Sequence, residues 1–99
     1  MIEVKGPRGE IAIRLAGTFD GAAAKRLCGR LRELPPDADV VVDFGAVRDV
    51  DDHGLVLVAG AIGDRPGSVA VRGLGRHQER ILRYVGVDLE HASREADAR

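Results

Sequence analysis

An acidic segment holds the side chains of this chain that are best suited to chemistry. It covers residues 49–54 and reads DVDDHG. An apolar stretch typical of a buried strand precedes it, and an apolar stretch that favours a buried helix follows it. Loops at the carboxyl ends of strands converge in α/β sheets and commonly hold their sites. A helix that begins there adds free N–H groups and a partial positive charge. We therefore treat this segment as the candidate functional site.

The residue types allow three interpretations of the segment. In the first, Asp51 or Asp52 caps the helix by accepting its N–H groups, and the other acids are solvated. In the second, a metal-dependent hydrolase or phosphotransfer protein binds Mg²⁺ or Ca²⁺ through carboxylate oxygens. The residues of that alternative are Asp49, Asp51, Asp52 and His53. The chain has no glycine-rich phosphate loop, however, and the acid spacing matches no EF-hand. In the third interpretation, the segment recognises a partner protein.

Hydrophobic periodicity predicts the elements that position the segment. Ile11, Ile13 and Leu15 alternate with polar or small residues, as in a half-buried strand. Asp20 is a suitable N-cap for the amphipathic helix that follows. The predicted strands cover residues 2–5, 11–16, 40–44 and 68–72, and the predicted helices cover 21–34, 54–63 and a stretch from about 74 that ends at Gly86. Residues 45–53 are predicted to form a polar connection. This β-β-α-β-α-β-α order predicts an α/β fold whose later strands are parallel.

Composition limits the kinds of function. The chain has 99 residues, the length of one domain, with 44% hydrophobic and 31% charged residues. Its net charge of −1 gives no electrostatic reason to expect direct binding of nucleic acid or of a membrane. The longest apolar stretch, residues 55–62, is too short to span a bilayer. Cys28 is the only cysteine, so it cannot form an internal disulfide and is expected to pack on the inner face of the first helix. These features predict a soluble, cytoplasmic protein without a cofactor.

Three stretches of the chain together resemble one family. Residues 40–47 (VVVDFGAV) and 50–55 (VDDHGL) are similar to a buried strand ending in Asp-Phe, a short loop and a hydrophobic-Asp-Ser-Ser-Gly-Leu motif. Residues 15–20 (LAGTFD) look like a Leu-x-Gly-x-Leu-Asp motif, and residues 81–88 (ILRYVGVD) look like a late helix ending in Leu-x-x-x-Gly-Leu-Asp. The three stretches occur in the order and spacing of the STAS domains, the anti-sigma factor antagonists of bacteria.

The resemblance implies both a fold and a function. The fold would be a STAS-like mixed sheet of about four strands, with helices packed mainly on one face. The function would be non-enzymatic: a module of transcription regulation that docks on an anti-sigma factor or a related kinase or ATPase. The partner-binding residues implied by the resemblance are Asp49, Val50, Asp51, Asp52, His53, Gly54, Leu55 and Val58. An alternative with the same fold is the small cytosolic STAS subunit of a lipid-transporting ABC complex. The domain would cover residues 1–88, and residues 89–99 would form a short polar tail or a loose helix that begins near Ser93.

The helix after the acidic segment carries more apolar residues than one face can bury. Leu55, Val56, Leu57, Val58 and Ile62 lie on several sides of the predicted helix. They cannot all face the sheet, so either neighbouring helices cover the remainder or an apolar patch stays exposed. An exposed patch of this kind often marks an interface.

One position departs from the family pattern. In the family, a serine or threonine that a kinase phosphorylates follows the loop aspartate, and here Asp52 takes that position after Asp51. A carboxylate forms no stable phosphate ester. Asp52 therefore either supplies a fixed negative charge, which resembles the phosphorylated state in sign, or only caps the helix in a protein whose partner does not use phosphorylation. Phosphate transfer to Asp52 itself would need a metal-binding acidic pocket and a lysine, and neither is visible in the sequence.

Overall fold

The computed structural model describes residues 1–85. Its elements follow the predicted order. The strands are β1 (Ile2–Lys5), β2 (Ile11–Phe19), β3 (Val40–Val50) and β4 (Val69–Arg72), and the helices are α1 (Gly21–Glu33), α2 (Asp52–Gly63) and α3 (Arg76–Tyr84). The predicted helix end at Gly86 and the predicted tail of residues 89–99 lie outside the described residues.

The four strands form one sheet in the order β1-β2-β3-β4. β1 runs antiparallel to β2, while β2, β3 and β4 are mutually parallel neighbours. Crossovers between successive parallel strands are right-handed, and both crossovers here advance in the same direction along the sheet. They therefore place α1 and α2 on the same face. The prediction of a mixed sheet of about four strands, with helices mainly on one face, is confirmed.

The core lies between that face of the sheet and the helices. The buried side chains alternate along β2 and β3, as a half-buried strand requires. The Phe19 and Phe44 rings meet edge to face, with centroids 5.0 Å apart. The other large side chains that are fully buried are Ile13, Leu27, Leu31, Val40, Val42, Leu55, Val58, Val71 and Leu82. Cys28 is buried on the inner face of α1 as predicted, and its Sγ donates to the Leu57 carbonyl at 3.4 Å.

The predicted polar connection over residues 45–53 is wrong, because most of it continues β3. β3 runs to Val50 and β2 runs to Phe19, and these two residues are paired. Two register shifts, between residues 14 and 16 and between residues 17 and 18, each leave one extra residue on β3. Gly17 adopts a φ of 77° at the second shift, a conformation that favours glycine. The bulges accommodate the polar residues that resemble a loop in the sequence. As a result, only Asp51 separates β3 from α2.

An ion pair fastens β1 to the helical layer. Every residue of β1 is exposed. The Arg30 guanidinium on α1 donates from Nη2 to Glu3 Oε1 at 2.9 Å and from Nε to Glu3 Oε2. Hydrogen bonding from Arg30 lowers the pKa of Glu3 below its ordinary value of 4.5. Glu3 therefore lies on the helical side of the sheet, and its neighbours Ile2 and Val4 lie on the other side.

Candidate functional site

Two helices begin side by side where β2 and β3 end, and an aspartate caps each of them. Asp20 follows β2, and its Oδ1 accepts the Ala23 N–H at 2.9 Å, which confirms its predicted role as an N-cap. Asp51 follows β3, and its Oδ1 accepts the His53 N–H at 3.0 Å. The Asp51 N–H in turn donates to the Phe19 carbonyl at 2.9 Å. The paired strands thus fix the start of α2 beside the start of α1.

Asp51 caps α2, and Asp52 does not. Asp52 is the first residue inside the helix, so the hypothesis that it is the N-cap is wrong. Its side chain is 55% exposed, and Oδ2 lies 3.3 Å from Nε2 of His77 on α3. The partial positive charge at the start of α2 favours a carboxylate in this first turn. The fold therefore leaves the Asp52 carboxylate accessible, while its neighbour satisfies the helix.

The exposed residues of α2 line up with Asp52. Residues three and four positions apart share one face of a helix. His53, Val56 and Gly60 are exposed at such spacings, and Val56 is 46% exposed. A Cβ added at Gly60 would meet no atom within 4 Å. Of the two possibilities left open for the apolar residues of this helix, Val56 is exposed, whereas Leu55 and Val58 are covered. We refer to the surface formed by Asp52, His53, Val56 and Gly60 as the α2 stripe.

Comparisons with known proteins identify the family. The family model described as "Mlab, STAS domain" matches residues 2–89. The chain belongs to the STAS domain family. Among solved structures, it is similar to "Structure of the Anti-Sigma Factor Antagonist SpoIIAA in its Unphosphorylated Form", with a TM-score of 0.67 and 15% identity over 99% of this chain and 98% of that chain. The likeness to that structure shows the fold. No curated protein matches the sequence.

Three of the residues expected to bind a partner are in the core of this STAS domain. Leu55 and Val58 are fully buried, because they form the side of α2 that packs on the sheet and on α1. Gly54 is buried, and a Cβ there would lie 3.2 Å from Phe19 Cε2 and 3.4 Å from Ala24 Cβ. Its small size lets α2 begin close to α1. These three residues therefore position the surface. Because they are buried, they do not offer the direct contact with a partner that was predicted for them.

The remaining expected contacts lie at the surface of the STAS domain. Asp49, Asp51, Asp52 and His53 are exposed, and Val50 is half-buried at the end of β3. These residues surround the start of α2. The exposed part of the expected set is therefore an acidic rim at the amino end of the α2 stripe.

Three residues at this surface, Val56, Gly60 and His77, were missing from the expected set. Val56 follows Asp52 by four positions, so helical spacing alone could have indicated that it shares the exposed face. His77 is 25 residues from Asp52 in the chain, and only the packing of α3 against α2 brings the two together. No local pattern in the sequence indicates that contact.

The acidic residues do not assemble as metal ligands. Within residues 1–85, no group of three or more His, Cys, Asp and Glu side chains is arranged to hold a metal ion. Asp51 instead turns its carboxylate to the helix backbone, and Asp52 turns its carboxylate towards His77. The ligand set of the metal-dependent alternative, Asp49, Asp51, Asp52 and His53, is therefore not formed in this part of the chain.

A separate property concerns membranes. None of the helices within the described residues combines the length and the apolarity needed to cross a bilayer.

Proposed function

We propose that this STAS domain is a non-enzymatic regulatory module that docks on a partner protein of the anti-sigma factor or kinase type. Its family and its likeness to a solved anti-sigma factor antagonist support this proposal. One observation carries it: Asp52 is 55% exposed in the first turn of α2, while Asp51 does the capping. The carboxylate at the position of the family's phosphoacceptor is thus available to a partner.

The α2 stripe is the proposed contact surface. Val56 offers an exposed apolar side chain at its centre, and Gly60 lets a partner backbone or side chain come close. Asp49 and Asp52 place negative charge at its amino end. Such charges set the choice and orientation of a partner more than raw affinity. The matching partner surface presents an apolar side chain to Val56 and an arginine or lysine to Asp52.

Asp52 gives the proposed contact a fixed charge. A phosphoserine carries about −1.5 to −2 charges and three strong acceptor oxygens, whereas a carboxylate carries one charge and two oxygens. Asp52 resembles the phosphorylated state in sign and has less charge. In this proposal the domain holds one affinity for its partner, and no kinase switches it. We place the module in the cytoplasm, where such a partner would meet it.

The experiment begins by identifying the partner. The immobilised full-length chain captures proteins from a lysate of its native cell. Mass spectrometry then identifies the proteins that bind the wild type more than they bind immobilised Val56→Asp. The purified partner is then titrated by calorimetry against the wild type, Val56→Asp and Asp52→Ser. Asp64→Ser is the control, since Asp64 is an exposed aspartate at the other end of α2.

We expect Val56→Asp to weaken binding at least about tenfold, because it places a charge at the centre of the contact. Asp52→Ser should change the affinity, whereas Asp64→Ser should not. If the partner is a kinase, ATP should add phosphate to the Asp52→Ser variant and not to the wild type. If Val56→Asp and Asp52→Ser both bind the partner as tightly as the wild type does, the α2 stripe is not part of the interface.

The identity of the captured protein separates the alternatives within the fold. An anti-sigma factor or a kinase supports the proposal. A transport ATPase would instead assign the domain to the lipid-transporting ABC complex, with the same surface tested by the same variants.

A further inference from the structure

The face of the sheet opposite the helices carries an apolar row. No helix within the described residues packs on this face, and register places neighbouring residues of adjacent strands on the same side. Strand pairing links one residue from each of the four strands into a row: Val4, Ala12, Val41 and Ala70. Val4 is 58% exposed, and the other three are half-buried. From β1 to β4, the row therefore alternates large, small, large, small.

A second row on the same face carries charges. Its members, again in order from β1 to β4, are Ile2, Arg14, Asp43 and Arg72. Asp43 Oδ1 accepts the Gly45 N–H at 2.8 Å, while Oδ2 lies 3.8 Å from Arg72 Nε, which is too far for a hydrogen bond. Arg14 is exposed and makes no ion pair within residues 1–85. Within these residues, Asp43 Oδ2 thus has only a long ion pair with Arg72, and the Arg14 guanidinium on the adjacent strand is exposed.

One symmetry operation makes the apolar row complementary to itself and brings the two central residues of the charged row together. A two-fold axis parallel to the strands and midway between β2 and β3 places β1 opposite β4 of a second copy, and β2 opposite its β3. Val4 then faces Ala70, and Val41 faces Ala12, so every large side chain meets a small one. Arg14 faces Asp43 at the same time. We infer that this open face binds a second copy of the chain, in a symmetric dimer of stacked sheets.

The contact geometry predicts a weak dimer. Each contact of a two-fold interface occurs twice, and sheets stack about 10 Å apart with strands at roughly 30°. Because each sheet twists, the contacts between β2 and β3 near the axis match better than those at the edges. Strands spaced about 4.8 Å apart give the face a footprint below the roughly 800 Å² per partner of a standard interface. The dimer is therefore weak, and its population rises as the protein concentration is raised.

The symmetry also fixes where the α2 stripes lie. An axis parallel to the strands leaves the strands of both copies pointing the same way. The two acidic rims then lie at one end of the dimer, and neither is covered. The dimer face lies on the side of the sheet opposite the α2 stripe, so a second copy and a docked partner use different surfaces.

Sedimentation equilibrium of the full-length chain over a wide concentration range tests the dimer. The wild type should rise from the monomer mass of 10.6 kDa towards twice that value. Arg14→Asp places a carboxylate opposite Asp43 at two points in the dimer and should raise the dissociation constant at least about tenfold. Val41→Thr keeps the side-chain shape in the apolar row while adding a hydroxyl, and should also weaken the dimer. Arg26→Asp makes the same charge change on the exposed side of α1 and is the matched control.

Circular dichroism melts check that each variant is folded. The association of the variants then decides whether the stacked dimer forms. Loss of association in Arg14→Asp and Val41→Thr, with Arg26→Asp unchanged, supports the stacked dimer. A wild type that stays monomeric at every concentration overturns it and leaves the face to another partner. Equal weakening by Arg26→Asp, or no weakening by Arg14→Asp, also overturns it, because the interface would then lie elsewhere.

Discussion

The Asp52 carboxylate and the His77 imidazole face each other across the junction of α2 and α3, with Oδ2 3.3 Å from Nε2. The two side chains are 55% and 69% exposed. Water competes for both groups at such exposure, so the pair contributes little to stability. The pair orients the Asp52 carboxylate, but the fold does not depend on this contact. Asp52 is thus a surface group whose replacement should alter binding more than folding.

Removing the carboxylates of Asp51 and Asp52 separately should distinguish a cap from a contact residue. Asp51→Ala removes the side chain that accepts the His53 N–H, and we expect it to lower the free energy of unfolding by about 1 kcal/mol. Asp52→Ala should lower it by less than about 0.5 kcal/mol, because it removes only an exposed pair. Urea unfolding followed by circular dichroism measures both values. A larger loss in Asp52→Ala than in Asp51→Ala would reverse the two roles.

Stability should depend on pH through Glu3. The Arg30 guanidinium lowers the pKa of Glu3 in the folded state, so this carboxylate stabilises the fold above its unfolded pKa near 4.5. That contribution is lost as the pH falls through the lower pKa of the folded state. We expect Glu3→Gln to be less stable than the wild type near pH 7, and the difference to vanish in strong acid. Urea midpoints measured from pH 7 to pH 2 give the comparison.

Glu33→Gln is the matched control for Glu3. Glu33 binds the same arginine through one contact of 3.1 Å, and its side chain is 70% exposed. Its removal should cost less than the removal of Glu3, which binds two guanidinium nitrogens of Arg30. Equal losses in both variants would show that the paired contacts of Glu3 do not fasten β1.

The Cys28 thiol should react slowly in the folded protein. Burial raises its pKa, and its Sγ–H donates to the Leu57 carbonyl between α1 and α2. Only the thiolate is a good nucleophile, so both access and ionisation disfavour the reaction. We expect slow labelling by a disulfide reagent at pH 8 and rapid, complete labelling in urea. Fast labelling of the native protein would mean that α1 and α2 separate readily.

Most of the element order could be predicted, because several elements have a clear hydrophobic period. Ile11, Ile13 and Leu15 have the period of a strand, and Leu27 and Leu31 have the spacing of a helix buried on one side. α2 was harder, since it is apolar on nearly every side. Its apolar pattern alone does not indicate that Leu55 and Val58 face inward while Val56 faces outward, although spacing links Val56 to Asp52. That choice depends on how α1 packs against it.

The extent of β3 could not be predicted for a related reason. Gly45, Arg48 and Asp49 are typical of a loop, and only pairing with β2 through two register shifts keeps them in the strand. Likewise, Asp51 and Asp52 are equally good capping residues by type. The end of β3 at Val50 decides between them, because it sets which residue begins the helix.

Gly73 holds the end of β4 close to the bulged part of β3, and its replacement should be costly. Its φ is 85°, and a Cβ there would lie 2.4 Å from the Gly45 nitrogen. Gly17 has a similar φ of 77° with nothing within 4 Å of its Cβ position. Gly17→Ala should therefore cost about 1–2 kcal/mol from backbone strain alone. Gly73→Ala adds a backbone collision to the same strain, so the strands must shift apart, and we expect a clearly larger loss in urea unfolding. Equal losses in the two variants would mean that β3 and β4 can separate there without cost.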